Sequence, residues 1–328
     1  MARAKRNAGE FELIARLCSG LEFSRRTILG PGDDCAILRP SSRPLLFTID
    51  SMVENVHFRT SWFPPEALGH KALAVNLSDI AAMGAEPLWC VINLAVREGL
   101  DTRFFTRLYR GVRSCAEQAG LDVVGGNVTG SAVLAITIAV IGEARGGILT
   151  REAARPGDDV FVTGTLGDAA AGLQILEGKL KASATARRFL VERFLRPAAR
   201  LSAGKRLAAI RPVPAAIDIS DGFLADLGHI LERSGAGAEI EADSIPLSPA
   251  YRAVLSDDLT AALSGGEDYE LLFCTRPGLS EAALTRRLGA VVHRVGRIVK
   301  GRGRIKLTGK RVGRVRGPAG FDQLRSRS

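Results

Sequence analysis

Acidic residues recur in one local setting along this 328-residue sequence. Each stands within two residues of Gly or Ser, at the end of an apolar stretch or at the start of a helix-like one. The segments are GPGDDCAIL, LLFTIDS, NLSDIAAMGA, AAIDISDGF and LSGGEDYELLF, and their acids are Asp33, Asp34, Asp50, Asp79, Asp218, Asp221, Glu267 and Asp268. One such acid is typical of a turn or a helix cap, where Asp and Ser are favoured. Their recurrence also favours a second interpretation, a site built from carboxylates.

The chemistry of such a site follows from its ligands. Crowded carboxylates repel one another unless cations are bound among them. Oxygen ligands without Cys or His suit Mg²⁺, which takes one or two carboxylates together with waters and substrate phosphates. The neighbouring glycines let backbone N–H groups approach an anion closely. The pattern predicts a Mg²⁺–nucleotide site, with caps and turns as the alternative for each acid alone.

Asp79 poses this choice most sharply, because it stands in SDIAAMGAEP among small residues. It is either a surface aspartate near a helix end or a carboxylate held beside the backbone for a cation. The usual nucleotide signatures do not decide between them. GRGRIKLTGK has the wrong spacing for a phosphate-binding GxxxxGK[ST] loop, and neither a GxGxxG after a strand nor a kinase HRD or DFG set occurs. Any ATP site must therefore use another architecture.

Composition limits the class of protein. The chain is 46% hydrophobic and 24% charged, which is typical of a globular protein, and its length suggests two domains. It has no run of about 18 apolar residues, and no apolar segment follows the basic N-terminus, so neither a membrane partner nor secretion is expected. Five widely spaced cysteines without a CxxC motif favour a reducing compartment, the cytoplasm, over disulfides or structural zinc.

The net charge of +10 comes from one segment. Residues 294–316 contain ten Lys and Arg and no acid, and the rest of the chain has 35 basic and 35 acidic residues. This segment is either a nucleic-acid or polyanion surface or a solvated hairpin, since VGRIVKGRGRIKL alternates apolar and basic residues with Gly at a turn. Without aromatic residues for base stacking, the hairpin is favoured and nucleic acid is not an expected partner.

The elements that must position these acids alternate along the chain. Strands are predicted at PLLFTIDS, PLWCVINLAV, AVLAITIAVIGEA, DDVFVTG, AAIDIS, AEIEA and YELLFCT. Helices are predicted at GEFELIARL, PPEALGHKALAVNLSDIAAMG, TRFFTRLYRGVRSCAEQAG, GDAAAGLQIL, on both sides of Pro197, and at DGFLADLGHILERSG. This predicts an α/β (α+β) protein with domains at 1–148 and 149–328, because residues 146–157 turn to Gly, Arg and Pro. The long apolar AVLAITIAVIGEA predicts cover from a second copy of the chain, hence a homodimer.

Six motifs in order carry a family resemblance: GPGDDCAIL, TIDSMVENVHF, KALAVNLSDIAAMGAEP, VTGTLGDAAAGL, IDISDGFLADL and SGGEDYELLF. They resemble the thiamine-monophosphate kinase family, in the superfamily of aminoimidazole ribonucleotide synthetase and selenophosphate synthetase. The resemblance runs from about Phe11 to Phe321. NLSDIAAMGA and SGGEDYEL are specific for the superfamily, while ENVHF, the DISDG helix start and the C-terminal GFD favour the thiamine-phosphate branch.

The resemblance implies ATP-dependent phosphorylation of thiamine monophosphate to thiamine diphosphate, by direct in-line transfer assisted by several Mg²⁺ ions. It implies a two-domain aminoimidazole ribonucleotide synthetase-like fold, whose N-terminal domain forms a dimeric β-barrel with ATP near the interface and whose C-terminal α/β domain completes the substrate site. The implied Mg²⁺ ligands are Asp34, Thr48, the Ile49 carbonyl, Asp50, Asp79, Asp218 and Asp221. The implied ATP contacts are Gly126, Arg151 and Ser220, and the implied thiamine-phosphate contacts are His57, Glu267 and Phe321.

No catalytic general base is expected, because the second pKa of a phosphate monoester is about 6 and the acceptor is already ionised at neutral pH. Three implied contacts keep alternatives. Arg151 could add charge at the phosphates or be a plain surface arginine. His57 could donate to a phosphate or pack as a satisfied polar residue. Phe321 could stack on a substrate ring or anchor the C-terminus.

The sequence departs from the family pattern at VVGGNVTGS, where Asn127 replaces the Asp of the usual Gly-Gly-Asp. The Asp there would bind Mg²⁺ beside ATP, and Asn keeps an oxygen ligand but loses the charge. Asn127 is therefore predicted as a weakened ligand, or alternatively as a turn residue in left-handed geometry. Two rival functions remain at this point: another ATP-dependent enzyme of the superfamily, whose reactive N-terminal Cys, Lys or Gly-rich segment this sequence lacks, and a nucleic-acid-binding protein.

Overall fold

The computed structural model describes residues 10–312, so the predicted substrate contact Phe321 lies outside the described residues. The described chain divides into two compact units. The first unit contains the residues before Ser78 together with Pro87–Glu143, and the second contains Ser78–Glu86 and the residues from Ala144 onward. The segment that carries Asp79 therefore belongs to the second unit. The domain boundary after residue 148 stays a prediction.

The first unit is built on a mixed sheet. Among the described residues its elements are α1 (Glu10–Cys18), β1 (Thr27–Leu29), β2 (Ile37–Leu38), β3 (Leu45–Val53), α2 (Pro65–Ala82), β4 (Glu86–Val96), α3 (Thr102–Ala119), β5 (Asp122–Gly130) and β6 (Ala135–Glu143). Within this part of the chain, four strands pair in the order β3-β6-β4-β5, with β3 antiparallel to β6 and β4 parallel to β5. The strands β1 and β2 pair separately. The last residues of α2, from Ser78, belong to the second unit.

The helix α3 begins, ends and buries its apolar face as its sequence predicts. The Asp101 side chain accepts a hydrogen bond from the Phe104 amide at 2.8 Å and caps the N-terminus. The predicted stop is confirmed, since Gly120 takes the left-handed conformation with φ 71°. Between the two ends, apolar residues at helical spacing, such as Leu108 and Val112, are buried.

The strand β6 corrects one prediction. AVLAITIAVIGEA does form a strand, but β6 lies between β3 and β4, so neighbours within the same chain cover both its edges. The premise that β6 needs a second copy for its edge is wrong. Among the described strands of this sheet, β3 and β5 stand at the edges instead, and β3 exposes Leu45, Phe47 and Ile49 at alternate positions.

The second unit is built on a larger sheet. Its described elements are β7 (Asp159–Thr163), α4 (Asp168–Leu176), α5 (Ala184–Leu195), α6 (Leu201–Leu207), β8 (Ala215–Asp218), α7 (Phe223–Ser234), β9 (Gly237–Glu241), α8 (Pro249–Leu255), α9 (Thr260–Ser264), β10 (Leu271–Thr275), α10 (Glu281–Leu288), β11 (Val292–Val299) and β12 (Ile305–Thr308). In the described chain, six strands pair in the order β12-β9-β11-β7-β10-β8. The pairing is antiparallel except for β12, which runs parallel to β9.

Both faces of this sheet are buried, because side chains alternate between two apolar clusters. In β7, Val160 and Val162 pack into one cluster with the apolar residues of α7, and Phe161 packs into the other with those of α6 and α10. Phe161 stacks on Phe273 of the neighbouring β10, with ring centroids 5.5 Å apart. Burial on both faces explains why DVFVT and LLFCT read as nearly continuous apolar runs.

The predicted solvated hairpin within residues 294–316 is wrong. The strands β11 and β12 do not pair with each other, because β9 lies between them and binds both. Long-range pairing therefore overrides the local turn signal of the Gly-rich connection. The segment from residue 313 onward lies outside the described residues.

The predicted fold class is confirmed at the level of two units with mixed α/β content. The strands described in this chain do not close into a barrel, so the dimeric barrel stays a prediction. Among residues 10–312, no helix combines the length and apolar character that crossing a bilayer requires.

Candidate active site

The turn between β8 and α7 collects predicted ligands in the second unit. β8 ends at Asp218, a residue that is 5% exposed, and α7 begins at Phe223. The buried Ser78 hydroxyl donates to Asp218 Oδ2 at 2.7 Å. Because Ser78 immediately precedes Asp79, this bond ties the acid-bearing end of α2 to the acid-bearing end of β8.

Asp226, in the first turn of α7, was missed from the sequence. Its Oδ2 accepts hydrogen bonds from the amides of Ser220, Asp221 and Gly222 at 3.1, 3.2 and 3.0 Å. Burial, together with the charges of Asp218 and Asp221, raises the pKa of Asp226 to about 7, against the lowering effect of the amide hydrogen bonds. The available signal was an acid four residues after Gly222 in DISDGFLAD. That acid can bond to the three amides only in the conformation that the turn adopts.

Asp221 lies close both to basic side chains and to the other acids of the turn. Burial raises the pKa of its carboxyl, and the charges of His229 and Arg151 lower it. Arg151 is exposed at the start of a short 3₁₀ turn. One ligand atom each from Asp221, Asp226 and His229 lie within 4.8 Å of one another. The predicted contacts Arg151 and Ser220 thus fall around the same turn as Asp218 and Asp221.

The SGGEDYEL segment runs beside this turn and bonds to its backbone. The Glu267 amide donates to the Ser220 carbonyl at 2.8 Å, and the Tyr269 amide donates to the Ile219 carbonyl at 2.9 Å. Glu267 and Tyr269 both have positive φ angles, 73° and 51°, which are uncommon for residues other than glycine and cluster at functional sites. A Cβ on Gly266 would lie 2.2 Å from the Ser220 carbonyl oxygen, so this close approach requires glycine.

Asp268, which the sequence grouped with the site acids, has a different environment from Glu267. It is buried, and its carboxylate accepts from the amides of Gly167 at 2.6 Å and Ala169 at 3.2 Å, at the start of α4. Burial raises the pKa of Asp268 to about 8, although these bonds and the charge of Arg193 lower it. Here the cap interpretation is correct.

Glu270 forms a buried ion-pair cluster that sequence reasoning also missed. Its carboxylate accepts from Thr163 Oγ1 at 2.6 Å, from Arg193 Nη2 at 2.7 Å and from Arg200 Nε at 2.6 Å. Removing either arginine would leave a buried carboxylate poorly compensated, which is strongly destabilising. This cluster anchors the C-terminal end of the SGGEDYEL segment where β10 begins.

The first unit brings three predicted residues together around a cavity of about 420 Å³. Asp34 reaches it from the exposed loop between β1 and β2, and Gly126 and Asn127 reach it from β5. Apolar residues of α1 and β4, such as Leu17 and Ile92, complete the wall. A Cβ on Gly126 would lie 2.2 Å from the Ile92 carbonyl oxygen, so close strand packing requires this glycine in addition to any ligand.

Asn127 is not a turn residue, which corrects the alternative considered for it. It lies within β5, opposite Asn93 of β4, and its Nδ2 donates to Asn93 Oδ1 at 2.9 Å. The amide oxygen is therefore the Asn127 atom that a cation could use. Asn93 could not be predicted as a neighbour of Asn127, because the pairing of β4 with β5 places it there.

The remaining predicted residues of the first unit lie on or after β3. Thr48, Ile49 and Asp50 pair with β6, and they are not among the residues that line the cavity. His57 follows β3, and its Nδ1 accepts a hydrogen bond from the Val53 amide at 3.0 Å. In the neutral ring this acceptor role places the proton on Nε2, which could then donate to an anion.

The donor chemistry of the predicted set fits Mg²⁺. Its side-chain and backbone ligands are all oxygen atoms, which Mg²⁺ prefers. Asp218 and Asp221 act on Asp226 strongly enough to raise its pKa, so the acids of the second unit are close enough to repel. A cation among them would relieve that repulsion. The group of Asp221, Asp226 and His229 fits less well, because it includes an imidazole nitrogen.

Some charges of the basic segment are already paired. Arg294 bonds to Asp159 at 2.8 Å and to Glu241 at 2.9 Å. Lys306 bonds to Glu239 at 3.2 Å. These acids come from β7 and β9, so the segment's surplus of positive charge is partly neutralised by the sheet beside it.

Comparisons with known proteins match both halves of the chain. Residues 32–144 match the family model of the AIR synthase related protein, N-terminal domain, and residues 155–308 match that of the C-terminal domain. The thiamine-monophosphate kinase of Salmonella typhimurium strain LT2 is 41% identical over 287 residues, which cover 86% of each chain.

Two solved structures extend this similarity to the fold. The crystal structure of thiamine-monophosphate kinase from Stenotrophomonas maltophilia K279a is 37% identical, with a TM-score of 0.79, and the match covers 92% of this chain and 95% of that one. The structure of AaThiL complexed with AMPPCP and TMP is 36% identical, with a TM-score of 0.74, and the match covers 98% of each chain. This chain belongs to the thiamine-monophosphate kinase family.

Proposed function

We propose that this chain transfers the γ-phosphoryl group of ATP to the phosphate of thiamine monophosphate, giving thiamine diphosphate and ADP, by direct in-line attack assisted by several Mg²⁺ ions. The observation that carries the proposal is the concentration of acids where β8 ends, with Ser78 bonded to Asp218 and with Asp221 beside them. The family and the AaThiL complex with AMPPCP and TMP support the choice of substrates.

The acceptor needs little activation from the protein. A phosphate oxygen of thiamine monophosphate bonds to the γ-phosphorus as the bond to the β–γ bridging oxygen breaks, and ADP leaves. The acceptor is ionised at neutral pH, so no general base is assigned. The barrier is the approach of two polyanions, and bound Mg²⁺ supplies charge neutralisation and alignment of the phosphates.

Within the second unit, we assign Asp79, Asp218 and Asp221 to holding the cations. Arg151 adds a positive charge near Asp221 and, with Ser220, would contact ATP. Glu267 would contact thiamine phosphate from the segment bonded to Ser220. These roles are consistent with the buried Ser78–Asp218 bond, which keeps the acids in fixed positions before any substrate binds.

Within the first unit, we assign Asp34 and Asn127 to a cation and Gly126 to ATP, because all three line one cavity. Thr48, the Ile49 carbonyl and Asp50 would hold further Mg²⁺ from β3. His57 and Phe321 would contact thiamine phosphate. The tautomer set by the Val53 amide leaves His57 a donor toward an anion.

We also propose that the protein is a homodimer that pairs through β3 and builds the family's barrel. The strand whose edge needs cover is β3, because β6 is paired on both sides. β3 stands at an edge of the described sheet, and Phe47 is 69% exposed, with Ile49 at 58% beside it. An exposed apolar edge strand is a surface that proteins normally cover. The free cysteines found in the described chain support placement in the reducing cytoplasm.

The test is incubation of the chain with ATP, Mg²⁺ and thiamine monophosphate, followed by separation of the products. Thiamine diphosphate should form with thiamine monophosphate and not with unphosphorylated thiamine as acceptor. Formation of ADP without thiamine diphosphate would instead favour another enzyme of the superfamily. Tight, salt-sensitive binding of a nucleic acid together with no kinase activity would favour the second rival.

A further inference from the structure

We propose that Asp226 is a positioning residue, which holds the 218–222 turn and, through two shared peptide groups, the segment that carries Glu267. This inference rests on the proposed function for its catalytic consequence. Its structural part stands on hydrogen bonds within the second unit.

The geometry is a clamp on three consecutive peptides. One oxygen of Asp226, Oδ2, accepts from the amides of Ser220, Asp221 and Gly222. Amides that converge in this way form a concave anion site, and these lie at the start of α7, where helix amides have no partner within the helix. A hydrogen bond donated by a backbone N–H restricts the orientation of its peptide plane. Asp226 therefore restricts the backbone on both sides of Ser220 and Asp221.

Two of these peptides are held at both ends. The peptide between Ser220 and Asp221 donates its N–H to Asp226 and accepts the Glu267 amide at its carbonyl. The peptide between Ile219 and Ser220 donates to Asp226 and accepts the Tyr269 amide. The turn and the SGGEDYEL segment are therefore coupled through backbone groups that Asp226 orients.

The three hydrogen bonds explain how the Asp226 carboxyl can be buried beside other acids. Asp226 is 1% exposed and lies close to the charges of Asp218 and Asp221. A third buried acid beside two others is unfavourable unless it makes compensating bonds. The three amides provide them, and Glu267 and Tyr269 take their left-handed conformations while bonded to the backbone that these amides belong to.

The experiment compares the metal-free full chain with Asp226→Ala and Asp226→Asn variants by amide hydrogen exchange. In Asp226→Ala, the amides of residues 220–222 and those of Glu267 and Tyr269 should exchange at least about tenfold faster than in the wild type. Asp226→Asn keeps an oxygen acceptor in the same place, so its exchange rates should stay within about threefold of the wild type.

A matched control is Asp243→Ala, because Asp243 also accepts two backbone amides, from Lys310 at 2.9 Å and Arg311 at 3.1 Å. This control should speed exchange at residues 310–311 and leave residues 220–222 and kinase activity unchanged. For the kinase reaction, Asp226→Ala should lower kcat by at least about tenfold, and Asp226→Asn should restore most of it.

The readouts separate positioning from the alternatives. Wild-type exchange rates at residues 220–222 in Asp226→Ala would overturn the proposal. An equal loss of kcat in Asp226→Asn and Asp226→Ala, with normal exchange rates in both, would also overturn it, because Asp226 would then act on the cation directly. If Asp226→Ala does not fold, Asp226→Ser takes its place, because the shorter side chain cannot reach the three amides. Fast exchange confined to these amides in Asp226→Ser supports the clamp, and wild-type exchange there or exchange accelerated throughout the chain contradicts it. An inactive wild type would refute the proposed kinase function and leave the exchange comparison valid.

Discussion

Asn127 is the residue at which this chain departs from its family's pattern, and it should weaken one cation site. Its Nδ2 bonds to Asn93 Oδ1, so only the amide oxygen is offered to a cation beside Asp34. We expect Asn127→Asp to lower the Mg²⁺ concentration for half-maximal kinase rate, by about three- to tenfold, because a carboxylate adds a charge at the same place. The measurement is a Mg²⁺ titration of the initial rate at fixed ATP.

The control for this prediction is Asn93→Asp, which adds the same charge one strand away and keeps an oxygen that can accept from Asn127 Nδ2. It should shift the Mg²⁺ titration less than Asn127→Asp does. If Asn127→Asp leaves the titration curve unchanged, Asn127 lies outside the metal site.

Asp268 should make stability depend on pH in a defined direction. Its folded pKa is raised to about 8, and an exposed Asp has a pKa near 4. Between about pH 4 and pH 8 the folded chain therefore holds a proton that the unfolded chain has released, so this contribution to stability is lost as pH rises through that window. The side chain of the Asp268→Asn variant does not titrate. The free energy of unfolding of the wild type should therefore fall relative to that of the variant from pH 5 to pH 8. Denaturant melts with a chelator present measure both values.

Glu54 provides a control of opposite sign. Its hydrogen bond with Arg97 holds the pKa of that carboxyl below its usual range. The stability that Glu54 contributes is present above about pH 4.5 and is lost as pH falls below it. The difference in free energy of unfolding between the wild type and Glu54→Gln should therefore be constant above pH 6. A constant difference between the wild type and Asp268→Asn across pH 5 to 8 would contradict the account of Asp268.

At the scale of single residues, the sequence predicted which acids stand beside Gly and Ser, but not what each one does. Asp218 and Asp268 occur in similar settings, yet one bonds to Ser78 and the other caps α4. The partners of Glu270, Arg193 and Arg200, are separated from it by 77 and 70 residues. Only the folded chain brings such groups together, so local patterns cannot assign them.

At the scale of elements, the contact between α4 and α5 requires a glycine. A Cβ on Gly172 would lie 2.1 Å from the Leu190 carbonyl oxygen, and a real Cβ cannot approach so closely. We expect Gly172→Ala to destabilise the chain by about 1–3 kcal/mol, because the helices must separate. Gly228→Ala is the matched control in α7, since its Cβ would meet no atom within 4 Å and should stabilise by roughly 0.5–1 kcal/mol. Thermal melts of both variants check the pair, and equal midpoints would contradict the packing argument.

Element type was predictable where one period ran long enough, as in α3, β4 and β6. The strands that pair with one another were not predictable in the same way. VGRIVKGRGRIKL has the alternation and the glycines of a hairpin, yet its two strands flank β9. Strand β9 lies more than 50 residues earlier in the chain than β11, as the pairing of Arg297 with Glu239 illustrates. Local turn chemistry does not specify a pairing of that range.

At the scale of the whole molecule, the proposed dimer should depend on the apolar face of β3. Phe47→Lys places a charge on that face, and we expect it to shift the light-scattering mass at micromolar concentration from that of a dimer to that of a monomer. Phe189→Lys is the matched control, because Phe189 is also exposed, at 43%, but lies on α5. A wild type that is monomeric, or a Phe47→Lys variant that remains dimeric, contradicts the proposed interface.

The motif order predicted the family and the two-part α/β organisation of the chain. The exact division of the chain was not predictable from composition. Ser78–Glu86 belongs with the second unit, although it precedes β4 of the first. The bond between Ser78 and Asp218 joins residues 140 positions apart, so the acid of SDIAAMGAEP could be interpreted only once both segments were placed.

We propose direct transfer of the γ-phosphoryl group from ATP to thiamine monophosphate at a cation site built from these acids. The measurement is the fate of a radioactive γ-phosphate of ATP, with Mg²⁺ and thiamine monophosphate present, in the wild type and in Asp79→Ala. We predict that the label appears in thiamine diphosphate in amounts equal to the ADP formed, that chelating Mg²⁺ abolishes it, and that Asp79→Ala loses at least about 100-fold in rate with a similar thermal midpoint. Label released as inorganic phosphate, or an Asp79→Ala variant with near-normal rate, would contradict the account.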